Sequence, residues 1–150
     1  MFKKSLIALS LFCALSPAAF AGNSESEQLN KKNVIEFYNK ALNDKDFAAA
    51  KPYLGDRYIQ HNPMAKDGEE GFQQFIAFLK NKYPDSHSEI KQAFVDGDHV
   101  ILHVEVTGRK PGVTRAIIDI FRVDEQHKII EHWDVTQTVP EKTASGNSMF

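Results

Sequence analysis

The sequence predicts an α+β fold in which three N-terminal helices pack into a curved antiparallel sheet. Two observations carry that prediction. Up to Pro84 the apolar residues recur every three or four positions, as on an amphipathic helix; beyond it they alternate at period two in runs separated by turn signals. Helices that come first and strands that come last each have an apolar face to bury, and a sheet wrapped around the helices buries both.

The chain opens with a basic Met1-Phe2-Lys3-Lys4, followed by an apolar stretch from Ser5 to Phe12 with Ala14 and Leu15 that is too short to cross a bilayer as a helix. It reads as a secretory signal over residues 1–21, cut after the small-x-small Ala19-Phe20-Ala21, so a periplasmic or secreted protein is expected. Cys13 is the only cysteine, and the bulky Leu11-Phe12 before it argues against lipid attachment. No membrane association is expected after cleavage, and the mature domain must hold together without disulfides. Removing Lys3 and Lys4 from the 18 Lys and Arg leaves 16 against 20 Asp and Glu, a net charge of about −4, which makes nucleic acid a poor partner.

Residues 22–28 are small and polar and read as a loose mature terminus, with one ordered domain expected over 29–140. Val34, Phe37, Tyr38, Ala41 and Leu42 mark a first helix over 29–42, closed by Asn43-Asp44. Asp46 caps a short second helix through Ala48-Ala49-Ala50, stopped by Pro52 and Gly55. Residues 57–63 are extended and break at Asn62-Pro63, because the residue before proline is pushed out of the helical region. A third helix over 69–83 carries Phe72, Phe75, Ile76 and Leu79 on one stripe and ends at Pro84. Strands follow at 88–95 and 99–107 around Asp96-Gly97-Asp98, at 116–123 after the turn 108–112, and at 129–139 after the turn 124–127. The tail 141–150 is polar, with only Met149-Phe150 able to dock back.

Helix, helix, Tyr-x-x-His-Asn-Pro at 58–63, helix, hairpin, Asp119-Ile120-Phe121-Arg122, the run from Lys128 to Val135 and a final Asn147-x-Met-Phe together resemble the SnoaL-like branch of the nuclear-transport-factor-2-like superfamily. The resemblance covers nearly all of the mature chain. It implies a cone-shaped fold enclosing one pocket, with a homodimer paired through the outer face of the sheet. The superfamily hosts aldol cyclases, ketosteroid isomerases, dehydratases, epoxide hydrolases and non-catalytic binders, so it speaks to architecture more than to activity. It also implies an aspartate of the last-strand region as general acid and base, for which Asp134 and Asp119 are the nearest matches.

The residues themselves point to the same place. His132 and Asp134 lie two apart and therefore on one strand face. If Val123 pairs with Lys128, antiparallel counting sets Phe121 opposite Ile130, Asp119 opposite His132 and Ile117 opposite Asp134. The other face carries Ile118, Ile120, Trp133 and Val135, which suits a partner subunit, with Arg122 and Glu131 as a rim ion pair. The acidic face is accordingly placed inward. An Asp base there removes a proton next to a carbonyl, since an apolar pocket and a second carboxylate both bring a carboxyl group toward a useful pKa; His132 or His61 then stabilises the enolate oxygen.

That chemistry needs no cofactor, and none is expected. The catalytic candidates are Asp134, Asp119, His132 and His61. Asn62, His103, Phe121, Ile117, Tyr38 and Phe75 are the candidates for contacting a small-molecule ligand. His61 is placed at the loop-side mouth, and His103 neighbours Asp119 in one register and points away in the next. A metal at His61, His103, Asp119 and His132 matches no ligand motif, and none is expected. Proton abstraction in the manner of an aldol cyclase, isomerase or lyase stands beside a non-catalytic ligand-binding module. An epoxide hydrolase is disfavoured because Arg122 falls on the face opposite Asp119.

Overall fold

The computed structural model describes residues 24–150; the expected leader, Cys13 and the cleavage site lie outside the described residues. Helix α1 (Glu25–Tyr38) begins a turn earlier than the sequence reading places it, and residues 25–28 are helix, capped by Ser24, rather than a loose terminus. The reason is local. Ser24 accepts from the Glu27 backbone N–H while the Glu27 carboxylate accepts from Ser24 N–H, a reciprocal cap that satisfies two otherwise orphaned donors. A π-helical turn (Asn39–Asn43), helix α2 (Phe47–Ala50, capped by Asp46) and a 3₁₀ turn (Lys51–Tyr53) then lead into strand β1 (Leu54–Gln60). Helix α3 (Gly68–Lys82) precedes β2 (His87–Asp96), β3 (His99–Thr107), β4 (Arg115–Val123) and β5 (Ile129–Thr138).

The sheet runs β1-β5-β4-β3-β2. Strands β2 to β5 form the expected antiparallel meander, and β1 adds itself in parallel to β5, so the sheet has a mixed edge. The expectation of an extended piece at 57–63 caught β1 only in part, because its pairing partner lies some seventy residues away and leaves no local signal. Helices α1 and α3 fill the concave side. Phe37 stacks on Phe72 with centroids 5.2 Å apart, and both pack with Ile76, Leu79, Val100, Leu102 and Val104. Each such buried side chain contributes about 1.5–3 kcal/mol through apolar surface removed from water.

The β4–β5 register differs from the counted one by two residues. The turn Asp124–Lys128 is one residue longer, with His127 at a left-handed φ of 60° and the Asp124 carboxylate accepting from Gln126 and Lys128 N–H. Ile130 then bulges, because Arg122 opposes Glu131 while Val123 opposes Ile129. Two single shifts preserve the faces. Asp119 therefore stands opposite Asp134 instead of His132, and Phe121 stands opposite His132 instead of Ile130.

Candidate functional site

The inner face of β4 presents Arg115, Ile117, Asp119 and Phe121, and that of β5 presents His132, Asp134 and Thr136. Together with α1, α3 and the end of β1 they line a cavity of about 480 Å³. Its walls are largely apolar, from Phe37, Leu42, Phe72, Phe75, Phe78 and Leu79. Of the residues singled out in the sequence, Asp134, Asp119, His132, Asn62, Phe121, Ile117, Tyr38 and Phe75 all line it.

Asp119 is buried at its centre. One carboxylate oxygen accepts from the Tyr38 hydroxyl at 3.1 Å, and the other faces His132 Nε2 at 3.0 Å across a diagonal of the two strands. Burial, then the Asp119 charge, push the Tyr38 hydroxyl well above the ordinary tyrosine range, so it stays a donor. The state of His132 follows from its other nitrogen. Gln60 Oε1 accepts from Asn62 N–H at 2.8 Å, which fixes the amide orientation, and the same oxygen lies 3.0 Å from His132 Nδ1. His132 must donate through Nδ1, so its neutral ring has only a lone pair at Nε2, and a carboxylate facing a lone pair is repulsive. One proton therefore sits between Nε2 and Asp119 Oδ1.

Asp134, directly opposite, accepts from the Asn62 side-chain amide at 2.8 and 2.7 Å and is only partly buried, open to the cavity. Tyr58 completes this end. Its hydroxyl accepts from Gln60 Nε2 at 3.0 Å, and its own hydrogen has no acceptor among the described residues. Burial, then the charges of Asp119 and Asp134, push it far above its usual range, so it too remains protonated.

The single ligand atoms that Asp119, His132 and Asp134 offer lie within 4.8 Å of one another. His132, however, has one nitrogen turned to Gln60 and the other to Asp119, so no lone pair is aimed at a shared centre. Within the protein the cluster forms a hydrogen-bonded chain.

Two expected site residues lie elsewhere. His61 is not at the cavity mouth: its backbone N–H bonds His132 O at 3.0 Å, continuing the parallel pairing of β1 with β5, and alternation turns Gln60 inward and His61 outward. There it meets Glu131 at 2.8 Å and stacks on Trp133 with centroids 4.7 Å apart. Glu131 also pairs with Arg122 at 2.5 Å, directly across the strands. His103 opposes Ile118 on the outer face, where the ring of Phe150 stacks on it at 5.3 Å, so the tail docks back.

Tyr58, Gln60, Arg109, Arg115 and Thr136 escaped the sequence reading. The period-two spacing of Tyr58, Gln60 and Asn62 and the inward phase of Arg115 were available signals. Arg109, in a turn, had none.

The sequence profile of the SnoaL-like domain matches residues 34–132. No curated protein matches the chain. Among solved structures, a candidate SnoaL-like polyketide cyclase from Jannaschia sp. CCS1 superposes with a TM-score of 0.67 at 19% identity, over 78% of this chain and 91% of that one. TsrD from Streptomyces laurentii gives 0.63 at 22% identity over 72% and 88%. A SnoaL-like protein of unknown function from Burkholderia thailandensis gives 0.62 at 16% over 74% and 96%. At these identities the likeness is one of fold.

Proposed function

The chain belongs to the SnoaL-like domain family, and from that premise we propose that its cavity binds a small, largely apolar carbonyl compound and removes a proton from the carbon beside the carbonyl without a cofactor. Asp134 is the base. It is the carboxylate open to the cavity, whereas both oxygens of Asp119 are engaged by Tyr38 and His132. The free O–H of Tyr58, and not His132 or His61 as the sequence suggests, donates to the enolate oxygen as charge develops there. Asp134 then returns its proton, either to another carbon of the enolate, which is isomerisation, or to the alkoxide formed when the enolate carbon attacks a second carbonyl, which is aldol cyclisation.

The observation that carries this reading is the 3.0 Å contact of His132 Nε2 with Asp119 Oδ1, from which one shared proton is inferred. Two facing carboxylates repel, and a proton held by one side lets the other stay ionised and basic. The candidate polyketide cyclase from Jannaschia sp. CCS1, alike in fold, supports the reaction class. The test is deuterium uptake at the α-carbon of aryl and alkyl ketones in heavy water, followed by proton NMR. Catalysed uptake is expected; no uptake from any ketone that binds would overturn the reading.

A second reading is favoured by one fact: every polar atom of Asp119 and His132 is already satisfied within the protein. The cavity would then hold a ligand without converting it, and native mass spectrometry would recover that ligand unchanged. The proposal further includes export, with a mature terminus at Gly22, and a homodimer through the outer face, where Phe94 on β2 and Val135 on β5 are 56% and 69% exposed. Light scattering at micromolar concentration is expected to give twice the chain mass, and Val135→Asp to halve it.

A further inference from the structure

The polar end of the cavity described above is hydrogen-bonded within itself, but the cavity also contains two arginines that no hydrogen bond or ion pair engages among the described residues. Arg109 lies in the β3–β4 turn and Arg115 on the inner face of β4, and both line the cavity. Neither makes a hydrogen bond or ion pair among the described residues, and Arg109 Nε is fully buried without a partner. The nearby carboxylates do not supply one, since Asp119 is committed to Tyr38 and His132 and Asp134 to Asn62. Burial works most strongly against the Arg109 charge and Arg115 adds repulsion, while Tyr38, Asp119 and Asp134 favour it from a distance without bonding to it. A guanidinium nevertheless keeps its proton in proteins, so the charge persists and needs an anion.

The turn is built to hold Arg109 in this position. Gly108 has φ of 75°, and a Cβ there would come within 2.7 Å of Asp85 O, so the turn sits tight against residues 85–86. Such a desolvated cation, held without a hydrogen-bonded carboxylate of its own, has the features of a ligand subsite and not of a solvated surface residue.

We infer that the cavity recognises a ligand bearing a carboxylate, clamped by Arg109 and Arg115, with an apolar body that reaches toward Asp134 and Tyr58. A carboxylate matches the planar fork of arginine bidentately. A phosphate dianion suits the site less, because Asp119 and Asp134 share the same cavity. Arg115 and Asp119 are four positions apart on one strand, about 14 Å of backbone, so the carboxylate and the reacting carbonyl belong to different parts of the ligand. The substrate class is thus an oxo-carboxylic acid with a hydrophobic spacer or ring. This rests on the reading of the cavity as a carbonyl site.

The test uses 7-benzoylheptanoate, in which six methylenes separate an aryl ketone from a carboxylate, and its ethyl ester, which lacks only the charge. Calorimetric titration of the wild-type protein is expected to show the acid binding about tenfold or more tightly than the ester. Arg109→Gln and Arg115→Gln should each erode that preference while leaving ester affinity in place, and either variant serves if the other fails to fold. Equal affinity for acid and ester, a preference that survives the double variant, or no binding of the acid at millimolar concentration would each overturn the inference. Deuterium uptake separates the two proposals: acid preference without uptake upholds the subsite and removes the proton abstraction, whereas uptake without acid preference does the reverse.

Discussion

Replacing Asp119 by asparagine and by leucine probes the shared proton directly. Asp119 is 5% exposed and His132 7%, so whatever they lose is not replaced by bulk water. Because His132 donates through Nδ1 to Gln60, its neutral ring offers a lone pair at Nε2. An asparagine at 119 can donate its amide N–H to that lone pair and accept from Tyr38 through its oxygen, so both bonds survive, at a cost of about 1 kcal/mol or less. Leucine has nearly the same volume but strands the Tyr38 hydroxyl and His132 Nε2, each about 1–3 kcal/mol, or about 2–6 kcal/mol together. Urea titration followed by the fluorescence of Trp133, the single tryptophan, reads the difference. With a slope of about 2 kcal/mol per molar, leucine should lower the midpoint by about 1–3 M and asparagine by about 0.5 M or less. Equal losses in the two variants would refute the assignment of the Nδ1 proton and with it the shared proton.

Two further outcomes follow from the same coordinates. Tyr38 and Tyr58 have folded-state pKa values raised above the ordinary 10.0, so their stabilisation is intact below about pH 10 and is lost as pH rises through the folded values. Stability should fall above pH 10 by up to about 1.4 kcal/mol per pH unit for each tyrosine, and Tyr38→Phe should remove one share of that slope. Gly108→Ala forces a side chain onto φ of 75° against Asp85 O; a loss of about 1–3 kcal/mol is expected in thermal unfolding, together with weaker discrimination between 7-benzoylheptanoate and its ester as the turn lifts Arg109 away.

Periodicity carried most of the fold because helices and strands here bury one face each. It placed β3 at the residues where it lies and missed the start of α1 only by passing over the Ser24–Glu27 cap. The register of β4 with β5 was less legible. A bulge at Ile130 and a longer turn each shift it by one, and neither has a composition signal; only because the shifts add to two did Asp119, His132 and Asp134 stay on one face. His61 was misplaced for a related reason. Its face depends on β1 pairing in parallel with β5, a contact between distant segments that alternation within 57–63 cannot fix. Tyr58 and Gln60 share with Asn62 a period-two signal, but only that same contact says which way their face turns, and Arg109 lies in a turn where no period applies.

The account's centre is that Asp134 acts as a base on a bound carbonyl compound. Deuterium uptake by saturating 7-benzoylheptanoate, compared between the wild-type protein and Asp134→Asn at equal folded fraction, tests it most directly. The account predicts a rate about 10²–10⁴-fold lower in the variant with binding retained. Uptake that continues undiminished in Asp134→Asn would contradict it.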